Sequence, residues 1–259
     1  MQTEILKNRS GLHLCSKYAF MPNKLKYCGP SNERTLFDYA SKKVVDQGLL
    51  ELLSRFECLY PYLRGIAKAN KICDPFDRRV VEAYWLGNPL LNKVSMNDLY
   101  LNLKDEHHLA KRLPKKYFEE IIYKIPEGAK PHHSFHVLNV LIHTGWKGTK
   151  ELLPSLEGCM ILVGKVRNIA DNFLKIGESE FLQVDIMGLE FIESKLSFSR
   201  RETVKARFKF YGQSFIDDLK PGDLVSVHWG FICEKLSLTK AERLNSWNQY
   251  HLNLANLTI

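Results

Sequence analysis

The chain has 259 residues, a formal net charge of +8, 45% hydrophobic and 25% charged residues. That balance suits a folded core and excludes a disordered or fibrous chain. No apolar run approaches the ~20 residues a membrane span needs, and the first residues lack the apolar stretch of a signal peptide, so a cytoplasmic protein with no membrane partner is expected.

Ahead of Leu156 the chain carries 24 basic and 16 acidic residues; from Leu156 onward it carries 13 of each. The excess charge is therefore N-terminal and scattered, which reads as a solvated basic face. Six cysteines, at 15, 28, 58, 73, 159 and 233, include no CxxC pair. Reduced thiols are expected, without a disulfide framework or a cysteine-only zinc site.

The pattern from Ser31 to about Lys124 is helical. "SNERTLFDYASKKVV" opens with a Ser/Asn cap and spaces Leu36, Phe37, Ala40 and Val44 along one face. "LLELLSRF" and "PYLRGIAKANKI" read as further helices, and "DPFDRRVVEAYWLG" as another that stops at Gly87, with Trp85 in the core. "SMNDLYLNLKDEHHLAKRL" continues the series, with His107 and His108 among exposed charges. "PEGAKPHH" is a loop, and "SFHVLNVLI" reads as helix or strand.

After Gly158 the period changes. "MILVGKVRNI", "EFLQVDIMGLEFI", "TVKARFKFYG" and "DLVSVHWGFICEKL" alternate polar and β-branched or aromatic residues, as strands do. "KPGD" at 220–223 is a turn. The last segment, "TKAERLNSWNQYHLNLANL", reads as a helix capped by its threonine. The predicted fold is α+β in two domains: residues 1–150 mostly helical, and residues 156–259 a small closed β-barrel with a C-terminal helix.

Candidate site residues fall in three places. His132, His133 and His136 lie within five positions, so two of them can share a face on a helix or a strand and ligate a metal. Cys28 could approach these histidines through the fold as a further ligand, and it precedes a helix start, where a thiol's pKa is lowered. In "VSVHWGF", alternation sets His228 with Ser226 and Gly230, on an outer or partner-facing side of the barrel. Cys233 belongs to the core.

"CMILVGKV" and "KPGDLVSVHWGFICEKLSLTKAE" together resemble the HypC/HupF-type maturation chaperones of nickel–iron hydrogenases. The resemblance runs from Cys159 to about Arg243 and implies an OB-fold-like barrel. It places Cys159 and Lys165 on the family's first motif, and His228, Gly230 and Phe231 on its second. Val163 and Ile232 depart from the usual proline and alanine, and Cys159 follows a long segment where the family cysteine lies beside the N-terminus. The resemblance implies transient iron, held by the cysteine and shared with a HypD-like partner, and contact with a hydrogenase large-subunit precursor. On this reading Cys159 opens a strand at an exposed rim, with Lys165 and His228 favouring its thiolate. "LCSKYAFMPNKLKYCGP", "DPFDRRVVEAYWLGNPLL" and "PHHSFHV" resemble a family known as a domain of unknown function, over residues 10–145.

The expected function is a non-catalytic maturation chaperone or adaptor that binds a metalloenzyme precursor or iron-delivery partner through its C-terminal barrel. The alternative is an enzyme using the His132/His133/His136 loop, although no phosphate loop, G-x-S-x-G elbow or H-E-x-x-H is present. Nucleic-acid binding is weaker still, because the barrel half is neutral.

Overall fold

In a computed structural model the described residues are 9–30, 33–143, 149–167 and 174–259. Helices dominate the first part. They are α1 (Arg9–Lys24), α2 (Glu33–Lys42), α3 (Gln47–Ser54), α4 (Tyr60–Ala69), α5 (Arg78–Leu86), α6 (Met96–Leu101), α7 (Leu109–Arg112), α8 (Lys115–Ile122), α9 (His133–Phe135) and α10 (Thr149–Cys159). The strands follow: β1 (Leu162–Val166), β2 (Leu174–Ile176), β3 (Ser179–Ile192), β4 (Lys195–Phe210), β5 (Gln213–Ser214), β6 (Leu224–His228) and β7 (Phe231–Leu236). Helix α11 (Leu238–Ala255) closes the chain.

Local chemistry explains most boundaries. Asp77 caps α5 by accepting from the Arg79 N–H, and Gly87 ends that helix at φ 79°, a conformation glycine adopts without a Cβ penalty. Ser95 and Asp98 form a reciprocal capping box on α6. That helix passes into one wide π turn over Asn102–Glu106, which carries His107 inward; it is buried, not among exposed charges as expected. His108 is exposed. Helix α2 stops at Lys42, so Val44 leaves the expected face and is exposed. The proposed Ser31/Asn32 cap lies outside the described residues. "SFHVLNVLI" is helical, with α9 running into a π turn over His136–Val140. Ser237, not Thr239, caps α11. The turn at 220–223 forms as expected, with Gly222 at φ 88° and the Asp223 N–H donating to the Lys220 carbonyl at 3.1 Å.

The sheet order is β2-β3-β1-β6-β7-β4-β5, and long β3 and β4 also pair along their length. The sheet therefore curls back on itself. Its seam is weak: β4 meets β7 through one parallel pair, Arg207 with Phe231. This is an irregular, incompletely sealed ring of strands in place of the regular closed barrel that was expected. Cys159 is the last residue of α10, and the first strand begins three residues later at Leu162.

The change of period near residue 158 marks the change from helices to strands, but the apolar core crosses it. One cluster joins Leu12, Tyr18, Phe20 and Trp85 of the helices to Phe231, Cys233 and Leu236 of β7 and Leu244 of α11. Burying each large apolar side chain of that kind contributes about 1.5–3 kcal/mol. Tyr18 stacks on Trp85 at 5.4 Å, and its hydroxyl meets Ser226 Oγ of β6 at 2.9 Å. Helix α1 is thereby pinned to the sheet, and the candidate site lies along this joint.

Candidate metal centre

A largely enclosed cavity of about 260 Å³ lies between α1, α5, α9, the end of α10 and the β6–β7 turn. His133, Cys159 and His228 enter it from three separate elements. One donor atom from each lies within 4.8 Å of the others. Metal–nitrogen bonds run to about 2.0–2.1 Å and metal–sulfur bonds to about 2.3 Å, so an ion needs only a small inward movement of the three.

The backbone fixes both imidazoles. His133 Nε2 lies 2.7 Å from the Cys159 carbonyl oxygen, and His228 Nδ1 lies 2.9 Å from the Tyr18 carbonyl oxygen. A carbonyl only accepts, so each of these nitrogens carries the proton and the other ring nitrogen keeps its lone pair. Among the described residues, His133 Nδ1 meets only the Tyr84 hydroxyl, at 3.3 Å. His228 Nε2 is buried and makes no close hydrogen bond among the described residues, although the Cys159 carbonyl lies near the ring. Donation of the second N–H to a carbonyl is how protein histidines are oriented toward a metal.

Burial sets the protonation states. His133 is held well below the usual histidine value by desolvation, helped by its neighbour His228. His228 is lowered to about 4 by desolvation, which the Tyr18 and Cys159 carbonyls offset only in part. Both are neutral at pH 7, as ligands must be. Burial pushes the Cys159 thiol up to about 12, with the Trp229 indole working in the opposite direction. Cys159 is therefore a thiol, and an ion binding there must displace its proton.

Trp229 and Tyr27 also line this cavity. Trp229 and Gly230 have φ of 50° and 68°, the pair of left-handed residues of a tight hairpin turn. A bulky residue in that region is strained. Trp229 is held by its N–H to the Gly158 carbonyl at 2.8 Å and by stacking on Tyr27, ring centroids 4.4 Å apart. Its ring lies on Gly158, where a Cβ would come within 2.8 Å of Cε3.

The sequence-predicted residues thus part company. Cys159 and His228 meet His133, although the first two were expected at an exposed rim and outer face. Cys159 is partly buried at a helix end, and His228 is fully buried because α1 covers that side of β6. Lys165 is exposed on β1 and lies against a separate groove with Arg167 and Asp185. Gly230 is an exposed turn residue, and Phe231 packs in the core. Cys233 is buried as expected. His132 turns away to Ser134 and His251.

His136 and Cys28 line the same cavity but stand outside the cluster of three. Cys28 is not activated by a helix start. Its thiol is raised, first by facing Cys58 and then by burial. Cys58 is the thiol whose pKa is lowered, by Cys28 first and also by His136. Sequence reasoning passed over Cys58, Tyr84 and Trp229. Only the strained "WG" pair could have drawn attention to the last.

The fold and site define a mixed α+β chain with a buried two-histidine, one-cysteine pocket, and no helix among the described residues is long and apolar enough to cross a membrane. The chain belongs to DUF6390, a family of unknown function whose model matches residues 7–259. That match extends the N-terminal resemblance over nearly the whole chain, and no family model of the maturation chaperones matches the C-terminal half. No curated protein and no solved structure matches.

Proposed function

We propose that this chain is a metallocentre-maturation protein. It holds a soft transition-metal ion, iron first, for a hydrogenase-type precursor or an iron-delivery partner. The observation that carries the reading is the meeting of Cys159 and His228 with His133. The first two are the residues at which the C-terminal motifs resemble the chaperones; the third comes from the helical half. Two nitrogens and a thiolate suit iron, zinc, copper or nickel, and the thiolate favours the softer states.

Pocket size supports a carried ion over an organic substrate. About 260 Å³ is below the ~300–1,000 Å³ of sites for drug-sized ligands. It accommodates an ion with a few small ligands, each near the ~30 Å³ share of a water. Three protein donors leave coordination positions open for such ligands, and the surrounding Ala19, Leu59, Leu141 and Leu156 limit water. A partner reaches the pocket by displacing Trp229 and Tyr27, so the docking surface is the β6–β7 turn with the end of α1.

The test is anaerobic titration with Co²⁺, whose thiolate charge-transfer band reports sulfur ligation, followed by purification from the native host. One equivalent is expected to bind with that band. Cys159→Ser should stay folded, lose the band and fail to recover a hydrogenase precursor or iron-carrying partner. Wild-type protein that binds no ion, or a serine variant that keeps band and partner, overturns the reading.

A further inference from the structure

Cys28 and Cys58 stand where two cavities meet. Both line the inner metal pocket, and both line an open outer cleft of about 750 Å³ on the far side. They come from separate turns, one after α1 and one between α3 and α4. Gly29 brings those turns together: at φ 82° it lies so close to the Phe56 ring that a Cβ there would sit 2.4 Å from it. Asn23 fixes the first turn by donating to the carbonyls of Cys28 and Pro30, at 3.0 and 2.6 Å.

The contacts run in a row. The Cys28 thiol faces Cys58, and Cys58 faces the His136 imidazole. His136 Nδ1 in turn meets the Tyr62 hydroxyl at 3.3 Å. Donors in a row do not surround an ion. Among the described residues the one group that converges for a metal is His133, Cys159 and His228. A thiol between a second thiol and an imidazole is arranged for a different reaction: attack by the middle sulfur and resolution by its neighbour.

We propose that Cys28 and Cys58 form a dithiol–disulfide couple that exchanges with small peptide disulfides entering the outer cleft. Cys58 attacks as the thiolate, having released its proton. A Cys58–peptide disulfide forms, the incoming S–S bond breaks, and one peptide thiolate leaves. Cys28 then attacks Cys58 Sγ; the Cys28–Cys58 bond forms and the second peptide thiolate leaves. The two thiolates take up the two protons that Cys28 and Cys58 gave up. The chain is oxidised by two electrons and the peptide disulfide is reduced to two thiols.

Cys58 leads because it is the member of the pair that also faces the His136 imidazole, which favours its thiolate. The outer cleft is large enough for a tripeptide-sized partner and carries polar groups including Arg55, His108 and Arg112.

The experiment equilibrates the full chain with graded ratios of reduced and oxidised glutathione, then quenches it for intact-mass and peptide mapping. The expected product is a Cys28–Cys58 disulfide. Cys28→Ser should trap glutathione on Cys58, and Cys58→Ser should slow modification at Cys28 by about tenfold or more. His136→Gln should raise the pH of half-maximal Cys58 alkylation. No disulfide at any ratio, one that joins other cysteines, or unchanged kinetics in Cys58→Ser overturns the proposal. Cys159→Ser separates this from the metal reading: it should form the same disulfide whether or not the pocket carries an ion.

Discussion

His132 and His133 leave the same loop in opposite directions, and their surroundings differ in what they leave for chemistry. His132 Nδ1 accepts from the Ser134 backbone N–H at 3.1 Å and meets Ser134 Oγ at 2.7 Å. Ser134 Oγ also meets His251 Nδ1 at 2.8 Å. Trp247 stacks on both histidine rings, with Gly87 tight against its far side. That network lines none of the cavities described above. His133 instead faces a hollow with a sulfur and a second imidazole, and its lone pair meets one weak hydroxyl contact. Burial alone makes a histidine neutral; a hollow beside an uncommitted lone pair makes it available.

Acid should affect both groups and gives the largest effect. His132 is lowered to about 3 and His228 to about 4 by burial; His133 and His251 are also well below the usual 6.5. The unfolded chain takes up protons near 6.5 that the folded chain refuses, so it binds more protons below that pH. Stability is therefore full above pH 6.5 and declines as pH falls toward 3. Urea midpoints measured across pH 7.5 to 4 should fall steadily. A flat profile would show that these rings are not held neutral.

Ser134→Ala should break the sealed side and spare the open one. It removes the hydroxyl that His132 and His251 share. His132 keeps the Ser134 backbone N–H and only His251 Nδ1 is orphaned, at about 1–3 kcal/mol, so a loss of about 2 kcal/mol is expected in urea denaturation with an unchanged slope. Cobalt stoichiometry should stay at one. Loss of the cobalt band with stability intact would assign the network to the metal site and dissolve the contrast.

The sequence carried this contrast only in part. "PHHSFHV" announced convergence, because three histidines in five positions must include pairs on one face. It could not show that His132 and His133 diverge, since that depends on α11 and the β6–β7 turn more than 90 residues later. Helices α3, α4 and α5 and the change to strands were legible because each satisfies local propensity, caps and period. The weak β4–β7 seam was not, because one parallel pair leaves no pattern in either strand. Cys58 was invisible for the same reason: its partners Cys28 and His136 are 30 and 78 positions away. His228 was assigned to the outer side because alternation gives faces, not which face another element covers. Helix α1 covers this one.

Lys165 offers the sharpest small test, because motif and geometry disagree about it. The C-terminal resemblance pairs it with Cys159 as a nearby positive charge. On β1, however, its register partners are Asp185 and Leu224, and its side chain is exposed beside Arg167 and Asp185. The Cys159 thiol responds to burial, to the Trp229 indole and to Cys58, and Lys165 is not among those influences. Screening weakens any effect of an exposed ammonium further. Lys165→Ala should therefore change stability by no more than about 0.5 kcal/mol and leave cobalt affinity and the rate of Cys159 alkylation unchanged. A clear fall in either the alkylation rate or the affinity would restore the motif's version, in which the strand carries the charge that the thiolate needs. The absence of change would leave the thiolate to be stabilised by the ion itself, drawn into a pocket whose other two donors are already neutral.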